Sequence, residues 1–382
     1  MKLLAVAGEA SGDAHGGALL AALRGHMPEL QVEGIGGPRM LAAGLQPLAP
    51  LSDLQVHGLV EVIAHLPRLY RVLGRLRARL REARPDAVLL IDYPGFNLKL
   101  ARAAHDLGVP VFYYCSPQIW AWRGGRLRHV VHNVDKLIVL FPFEVQGYRA
   151  AGLDAEFLGH PLVGVEASER EVSALRAALA PRPGRRIVAV MPGSRPSELA
   201  RNLPTMLAGL AMARDGGLDA QFVLPLAPGL DRSAAERDVA ASGLRVDIAE
   251  GAFLPLLKLA DLAIAASGTA TLQLAMAGVP SVVVYRVAPL TYWLARWLAY
   301  VRHISIVNIL AGRELLPELL QNDFTPQRVR DTLLSMAHSD SRLQEMRAGL
   351  AQVAGSLGEP GAYGRAAEHL AAFLRGQPTR PT

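Results

Sequence analysis

Short apolar runs recur along the chain, and stretches with helical spacing lie between most of them. In the first half the runs are Leu3–Ala7, Gln31–Ile35, Ala87–Ile91, Val109–Tyr114, Lys136–Leu140 and Ala155–Leu158. In the second half they are Ile187–Met191, Gln221–Leu224, Arg245–Ile248, Leu262–Ala266 and Ser281–Tyr285. Runs this short and this apolar predict strands buried on both faces. Their alternation with helices predicts parallel sheets covered by helices on both sides. The fold class expected is α/β, with two doubly wound, Rossmann-like domains facing a cleft. Residues 166–185, rich in Glu, Ala, Arg and Pro, read as a short helix plus linker. The boundary therefore falls at 168/169, giving domains 1–168 and 169–356. After a turn containing Gly355, Gly358, Pro360 and Gly361, an amphipathic helix over 362–375 lies in a tail, 357–376, that returns to the first domain.

Polar residues gather where strands end, which in a doubly wound fold is where ligands bind. After Ile187–Met191 comes Pro192-Gly193-Ser194-Arg195, and a helix opens near Ser197-Glu198. Such a turn aims backbone N–H groups, a helix N-terminus and a guanidinium at one place, which suits phosphate oxygens. The same grammar recurs after Leu262–Ala266, in Ser267-Gly268-Thr269-Ala270-Thr271. Two such turns in one half of the chain suggest a nucleotide diphosphate rather than a lone anion. In the first half, Gly8-Glu9-Ala10-Ser11-Gly12-Asp13 follows a strand. It reads either as a tight turn capped by Ser11 or Asp13, or as a backbone approach to substrate with His15 as acid or base. Asp92 ends a strand just before Pro94 and reads either as a helix cap or as a general base. Gly34-Ile35-Gly36-Gly37 lacks the spacing of a dinucleotide fingerprint, which argues against NAD.

Aromatic and basic residues add a second theme. Trp120, Trp122 and Arg123 leave a strand end and suit either a sugar or acyl wall or a packed hinge. Over 59–81, Leu66, Leu69, Tyr70, Leu73, Leu76 and Leu80 share one face, with Arg68, Arg71, Arg75 and Arg79 opposite. Arg77 and Arg81 break that pattern. Over 290–302, Trp293, Trp297 and aliphatics form a stripe flanked by Tyr292, Arg296, Tyr300 and Arg302. Core packing explains one such stripe; an interfacial helix on anionic lipid has the same composition. Asn308 sits among aliphatics and needs partners if buried, and Arg313-Glu314 reads equally well as a solvated pair.

Composition narrows the class. The 382 residues suffice for two cores, and 51% hydrophobic with 19% charged residues is apolar for a soluble enzyme. No run reaches the roughly 20 apolar residues of a spanning helix. The N-terminal run is followed at once by Glu9 and Asp13, so a first strand explains it better than a signal segment. One cysteine, Cys115, rules out an intrachain disulfide framework and a cysteine metal cluster, pointing to the cytoplasm. The net charge of +6 fits nucleic acid, an anionic membrane or phosphorylated substrates. No nucleic-acid-binding signature accompanies it, so no nucleic-acid partner is expected. No Asp-x-Asp cluster is offered to a divalent ion, so no metal is expected.

In order, the chain carries Gly8 to Asp13, Trp120-Ala121-Trp122-Arg123, Gly159-His160-Pro161, Gly193-Ser194-Arg195, Ser267 to Leu272, and Asn308 with Arg313-Glu314. Together these resemble the lipid-A-disaccharide synthases over nearly the whole length. The resemblance implies an inverting glycosyltransferase of GT-B architecture that needs no cofactor. Such an enzyme joins UDP-2,3-diacylglucosamine to 2,3-diacylglucosamine 1-phosphate, giving the β-1,6 disaccharide and UDP. It works peripherally on the anionic inner face of the cytoplasmic membrane. Carried over by motif, Gly193, Ser194, Arg195 and Glu198 match a donor loop, and Ser267, Gly268, Thr269 and Thr271 a second nucleotide turn. Asn308 and Arg313 lie close by, and Asp92 matches an aspartate considered as base. The chain departs from the family at three places. Gln273 stands where a glutamate for the ribose is usual, Gly95 where a second acid is common, and Val307 where proline is common. Acceptor, acyl or membrane contacts are expected from Ser11, Leu69, Leu73, Trp120, Trp122, Arg123, Trp293 and Trp297. Homodimerisation is left open, as are an epimerase or a cell-wall glycosyltransferase of like architecture, and a non-catalytic nucleotide-sugar-binding membrane adaptor.

Overall fold

Every apolar run named above contributes a strand to one of two wholly parallel sheets. The structure is a computed structural model that describes residues 1–54, 59–116, 125–286 and 303–376, with side chains from 66 and 127 onward in the helices that open at 59 and 125. The chain divides into Met1–Gly164 with Leu357–Thr382, and Val165–Ser356.

In the first unit the strands are β1 (Lys2–Ala7), β2 (Gln31–Ile35), β3 (Gln46–Pro47), β4 (Ala87–Ile91), β5 (Val111–Tyr114), β6 (Lys136–Val139) and β7 (Asp154–Phe157), in the order β3-β2-β1-β4-β5-β6-β7. The helices are α1 (Ala10–His26), α2 (Pro38–Ala42), α3 (Leu59–Ala83), α4 (Pro94–His105), α5 (Gly125–Asn133) and α6 (Pro142–Ala150). Alternate strand residues feed two cores. Leu4, Val6, Val88 and Leu90 pack with Leu73, Leu76 and Leu80 of α3 on one face. Leu3, Ala5, Leu89 and Ile91 pack with α1 on the other.

The second unit holds β8 (Arg186–Met191), β9 (Ala220–Leu226), β10 (Val246–Glu250), β11 (Leu262–Ala266), β12 (Ser281–Tyr285) and β13 (Glu318–Leu320), in the order β10-β9-β8-β11-β12-β13. Its helices are α7 (Glu169–Leu179), α8 (Pro196–Asp215), α9 (Arg232–Ser242), α10 (Phe253–Leu257), α11 (Thr269–Met276), α12 (Ile306–Ala311), α13 (Pro326–Ala337) and α14 (Asp340–Ser356). The helix expected within 166–185 is α7, and it packs into this unit instead of standing apart as a linker. Val172 and Leu175 of α7 are buried in this unit's core, and Ser168 caps the helix with Glu171 in a capping box. It is a packed element of the second unit.

The last helix, α15 (Ala362–Leu374), belongs to the first unit. Ala366, Ala367, Leu370 and Leu374 share a core with Leu19, Leu20 and Leu23 of α1. A buried charged cluster lies against it, although burial lowers the pKa of its His369. Lys136 is buried in β6 and pairs with Glu156 and, at 2.7 Å, with Asp154; the second oxygen of Glu156 lies 3.1 Å from His369 Nδ1. A lysine inside an apolar run is tolerated because two carboxylates compensate it. Among the described residues no helix is long and apolar enough to cross a membrane.

Candidate functional site

Both sheets reverse their strand order at one point, and in open α/β sheets that point opens the crevice where ligands bind. In the second unit it lies between β8 and β11, the two strands followed by the small-residue turns. A cavity of about 450 Å³ opens there, lined by Gly193, Ser194, Arg195 and Glu198 from one turn and by Ser267, Gly268, Thr269 and Gln273 from the other. Its volume is that of a small-molecule site.

Gly193 has φ +124°, and a Cβ at this position would lie 2.3 Å from Glu198 Oε2, so the turn requires glycine. Asn202, buried on α8, donates to Pro192 O at 2.8 Å and fixes the chain before the turn. Glu198 accepts from Ser194 N at 2.9 Å and from Arg195 N at 3.3 Å, and pairs with the Arg195 guanidinium at 3.3 Å. The donors expected to hold phosphate thus already hold a carboxylate, which shows that they converge on an anion. Glu198 itself lines the cavity, so its carboxylate stands where the anion of a ligand is expected. A carboxylate competes with a phosphate for the same N–H groups. Glu198→Gln is therefore expected to tighten UDP binding about two- to fivefold, the size of an exposed ion pair. Titration calorimetry checks this, and weaker binding would mean that the carboxylate's ordering of the loop outweighs its competition.

The second turn is built similarly. Gly268, with φ +156°, is the N-cap of α11, and no side chain caps that helix. Thr271 is buried, and its Oγ1 donates to Gly268 O at 2.7 Å, so it shapes the turn instead of facing the cavity. Asn308 is corrected in the same way. It is fully buried, donates to Leu316 O and Glu318 Oε1 at 2.8 Å each, and accepts from Leu315 N and Leu316 N. Arg313 is exposed and lines a separate cavity with His303 and Glu314. Neither Asn308 nor Arg313 is among the residues lining the 450 Å³ cavity. Sequence reasoning missed Phe253, Leu226 and Ala227, which form its apolar side. They carry no motif; only their place at or just beyond the carboxyl ends of β9 and β10 could have found them.

In the first unit the strand order reverses between β1 and β4, which lead to Gly8-Glu9 and to Asp92. Asp92 and Tyr93 are both left-handed, with φ +48° and +51°, a costly pair for non-glycine residues. The surroundings hold it. Asp92 O accepts from Tyr113 Oη at 2.6 Å and from Asn97 Nδ2 at 2.7 Å, and Tyr93 Oη donates to Leu54 O at 2.6 Å. Gly8 leaves room for the Tyr93 ring, which a Cβ would meet at 2.1 Å. Burial, reinforced by the nearby Glu9 carboxylate, raises the Asp92 pKa above its ordinary value. Helix α4 starts at Pro94 with Tyr93 as N-cap, so Asp92 is not its cap.

Other expectations change. Asp13 does not cap its own helix; its carboxylate accepts from Gly37 N at 2.7 Å, Met40 N at 3.0 Å and Arg39 N at 3.1 Å, anchoring α2. His15 Nδ1 and Tyr363 Oη of α15 share a hydrogen bond of 2.8 Å that links α1 to α15, and burial lowers the imidazole's pKa. His160 is pushed down to about 4 by burial and by His15. Ser11 is exposed on the first turn of α1. Leu73 is a core residue, which corrects it as a lipid contact; Leu69 is half-buried against that core, and Leu66 and Tyr70 of α3 are exposed. Trp120, Trp122, Arg123, Trp293 and Trp297 lie outside the described residues. Among the described residues no group of three or more His, Cys, Asp or Glu is placed to hold a metal ion.

Comparison with known proteins agrees with this layout. A family model described as lipid-A-disaccharide synthetase matches residues 3–369. The lipid-A-disaccharide synthase of Anaeromyxobacter dehalogenans (strain 2CP-C) is 42% identical over 380 residues, covering 98% of each chain. That of Myxococcus xanthus (strain DK1622) is 41% identical over 375 residues, 98% of this chain and 97% of its own. Solved structures share the fold at low identity. A UDP-GlcNAc 2-epimerase from Neisseria meningitidis aligns with TM-score 0.61 at 12% identity, covering 99% of this chain and 100% of its own. MurG of Acinetobacter baumannii aligns with TM-score 0.57 at 18% identity, covering 98% and 99%. These neighbours bear out two parallel-sheet α/β units of the GT-B kind. The chain belongs to the lipid-A-disaccharide synthase family, glycosyltransferases that build the lipid A disaccharide from nucleotide-sugar and lipid-linked substrates.

Proposed function

We propose that the second unit binds the UDP part of UDP-2,3-diacylglucosamine in the cavity between the Gly193 and Gly268 turns. Asp92 of the first unit then activates the 6-hydroxyl of 2,3-diacylglucosamine 1-phosphate. One observation carries the donor half: both turns flank the strand-order reversal and line a single cavity with Arg195. As the anomeric bond breaks, its electron pair leaves with UDP and negative charge grows on the diphosphate. The Ser194 and Arg195 amides and the Arg195 guanidinium are preorganised to stabilise that charge. The Asp92 carboxylate takes the hydroxyl proton as the oxygen attacks, and displacement inverts the anomeric centre to give the β-1,6 linkage. Phe253 and Leu226 offer an apolar wall to the uracil. Gln273, also on the cavity wall, supplies an amide for the ribose.

The lipid substrates come from the inner face of the cytoplasmic membrane, and contact with it is assigned to exposed residues of α3. Leu66 and Tyr70 are exposed there, beside Arg71. The stripe at 290–302 is assigned the same role by composition alone.

Radiolabelled UDP-2,3-diacylglucosamine with the lipid acceptor tests the reading by disaccharide formation; UDP release without disaccharide would contradict it. Because the leaving charge is assigned to protein donors, turnover is expected to survive EDTA. Loss of activity restored by magnesium would overturn that assignment.

A further inference from the structure

Among the described residues that line the donor cavity, Arg195 and Glu198 are the charged ones, and both follow the Gly193 turn. The Gly268 side contributes the polar side chains of Ser267, Thr269 and Gln273, all neutral. Gln273 is half-buried and makes no side-chain hydrogen bond among the described residues, which leaves its amide to a ligand. It lies four residues after Thr269 on α11, and residues so spaced share one face of a helix. Thr269 opens the helix, and Gln273 stands about 6 Å further along its axis. With the diphosphate at the helix N-terminus and the uracil against Phe253 and Leu226, the ribose between them meets the Gln273 amide.

The chemistry of that meeting is set by the amide. Its oxygen accepts from one hydroxyl of the ribose diol while its nitrogen donates to the other. Both bonds join neutral groups, and such bonds are weaker than those to an ionised partner. A half-buried amide that loses one of them is rehydrated. A fully buried group would stay unpaired and reject the ligand.

We propose that Gln273 reads the ribose weakly, so that the chain takes 2′-deoxyuridine diphosphate sugars as well as uridine diphosphate sugars. The inference deepens the donor-site reading above and rests on it.

Calorimetry with UDP and 2′-deoxy-UDP on the full-length protein measures this preference as a ratio of affinities. The ratio cancels any repulsion between residue 273 and the diphosphate, because both ligands carry that group. UDP is expected to be favoured about two- to tenfold, the range of one neutral hydrogen bond. Gln273→Ala should remove the preference. Gln273→Glu should raise it to about ten- to a hundredfold, the range of a charged hydrogen bond, and the gain should fade as pH falls and the new carboxylate is protonated. An unchanged melting temperature shows that each variant folds. A ratio unmoved by Gln273→Ala, one not raised by Gln273→Glu, or one beyond about a hundredfold in the unaltered chain would overturn the proposal. Arg195→Ala separates that failure from failure of the donor site. UDP binding weakened by Arg195→Ala, with a ratio indifferent to residue 273, removes the ribose contact alone. Binding indifferent to both positions removes the donor site itself.

Discussion

Asp92→Asn is expected to lower kcat by about 10²- to 10⁴-fold, the range spanned by a positioned general base, and to leave UDP affinity unchanged. The substitution keeps the shape of the side chain. It also leaves the bonds from Tyr113 and Asn97 untouched, because both go to the backbone oxygen of Asp92. What it removes is a carboxylate whose pKa is raised by burial and by Glu9. A base acts in its deprotonated form, so activity should fall as pH drops through that raised pKa. The acidic limb of the kcat/KM profile should therefore lie above the ordinary carboxylate range. Glu9→Gln should move the limb downward by removing the like charge, and Asp92→Asn should abolish it. Full activity in Asp92→Asn would remove Asp92 from the mechanism.

Arg195→Ala is expected to weaken UDP binding by about 1.5–3 kcal/mol, the range of a charged hydrogen bond. The guanidinium is exposed and lies at the turn where Ser194 N and its own amide converge. Truncation also frees Glu198, whose carboxylate then faces the ligand without a counter-charge. The loss should therefore be smaller when Glu198→Gln is combined with it. Calorimetry on the single and double variants measures this coupling. Equal losses in both backgrounds would show that Glu198 and the diphosphate do not share donors.

The fold was legible because its strands are buried on both faces and carry unbroken apolar runs. The two strands that escaped, β3 and β13, are edge strands of two and three residues, too short for a pattern. β5 begins at Val111, two residues later than the apolar run suggests, because Pro110 has no N–H to donate. The phosphate turns were legible as glycine between strand and helix. Their supports were not. Asn97 donates to the backbone oxygen of Val6, far away in the sequence, and Asn202 to that of Pro192, bonds that no spacing reveals. Thr271 and Asn308 look like ligand contacts in a motif, yet burial turns both into parts of the scaffold. Leucine periodicity over 59–81 could not say which end of the helix meets the core. Val72, Leu73, Leu76 and Leu80 are buried, whereas Leu66 and Tyr70 are exposed.

The measurement that bears most directly on the central claim is a crystal structure of the chain with UDP. The account predicts the diphosphate within hydrogen-bond reach of Ser194 N, Arg195 N and the Arg195 guanidinium, beside the Ser267–Thr269 turn, with Glu198 displaced from those donors. UDP bound away from both turns, or Glu198 still holding both amides with the nucleotide in place, would contradict it.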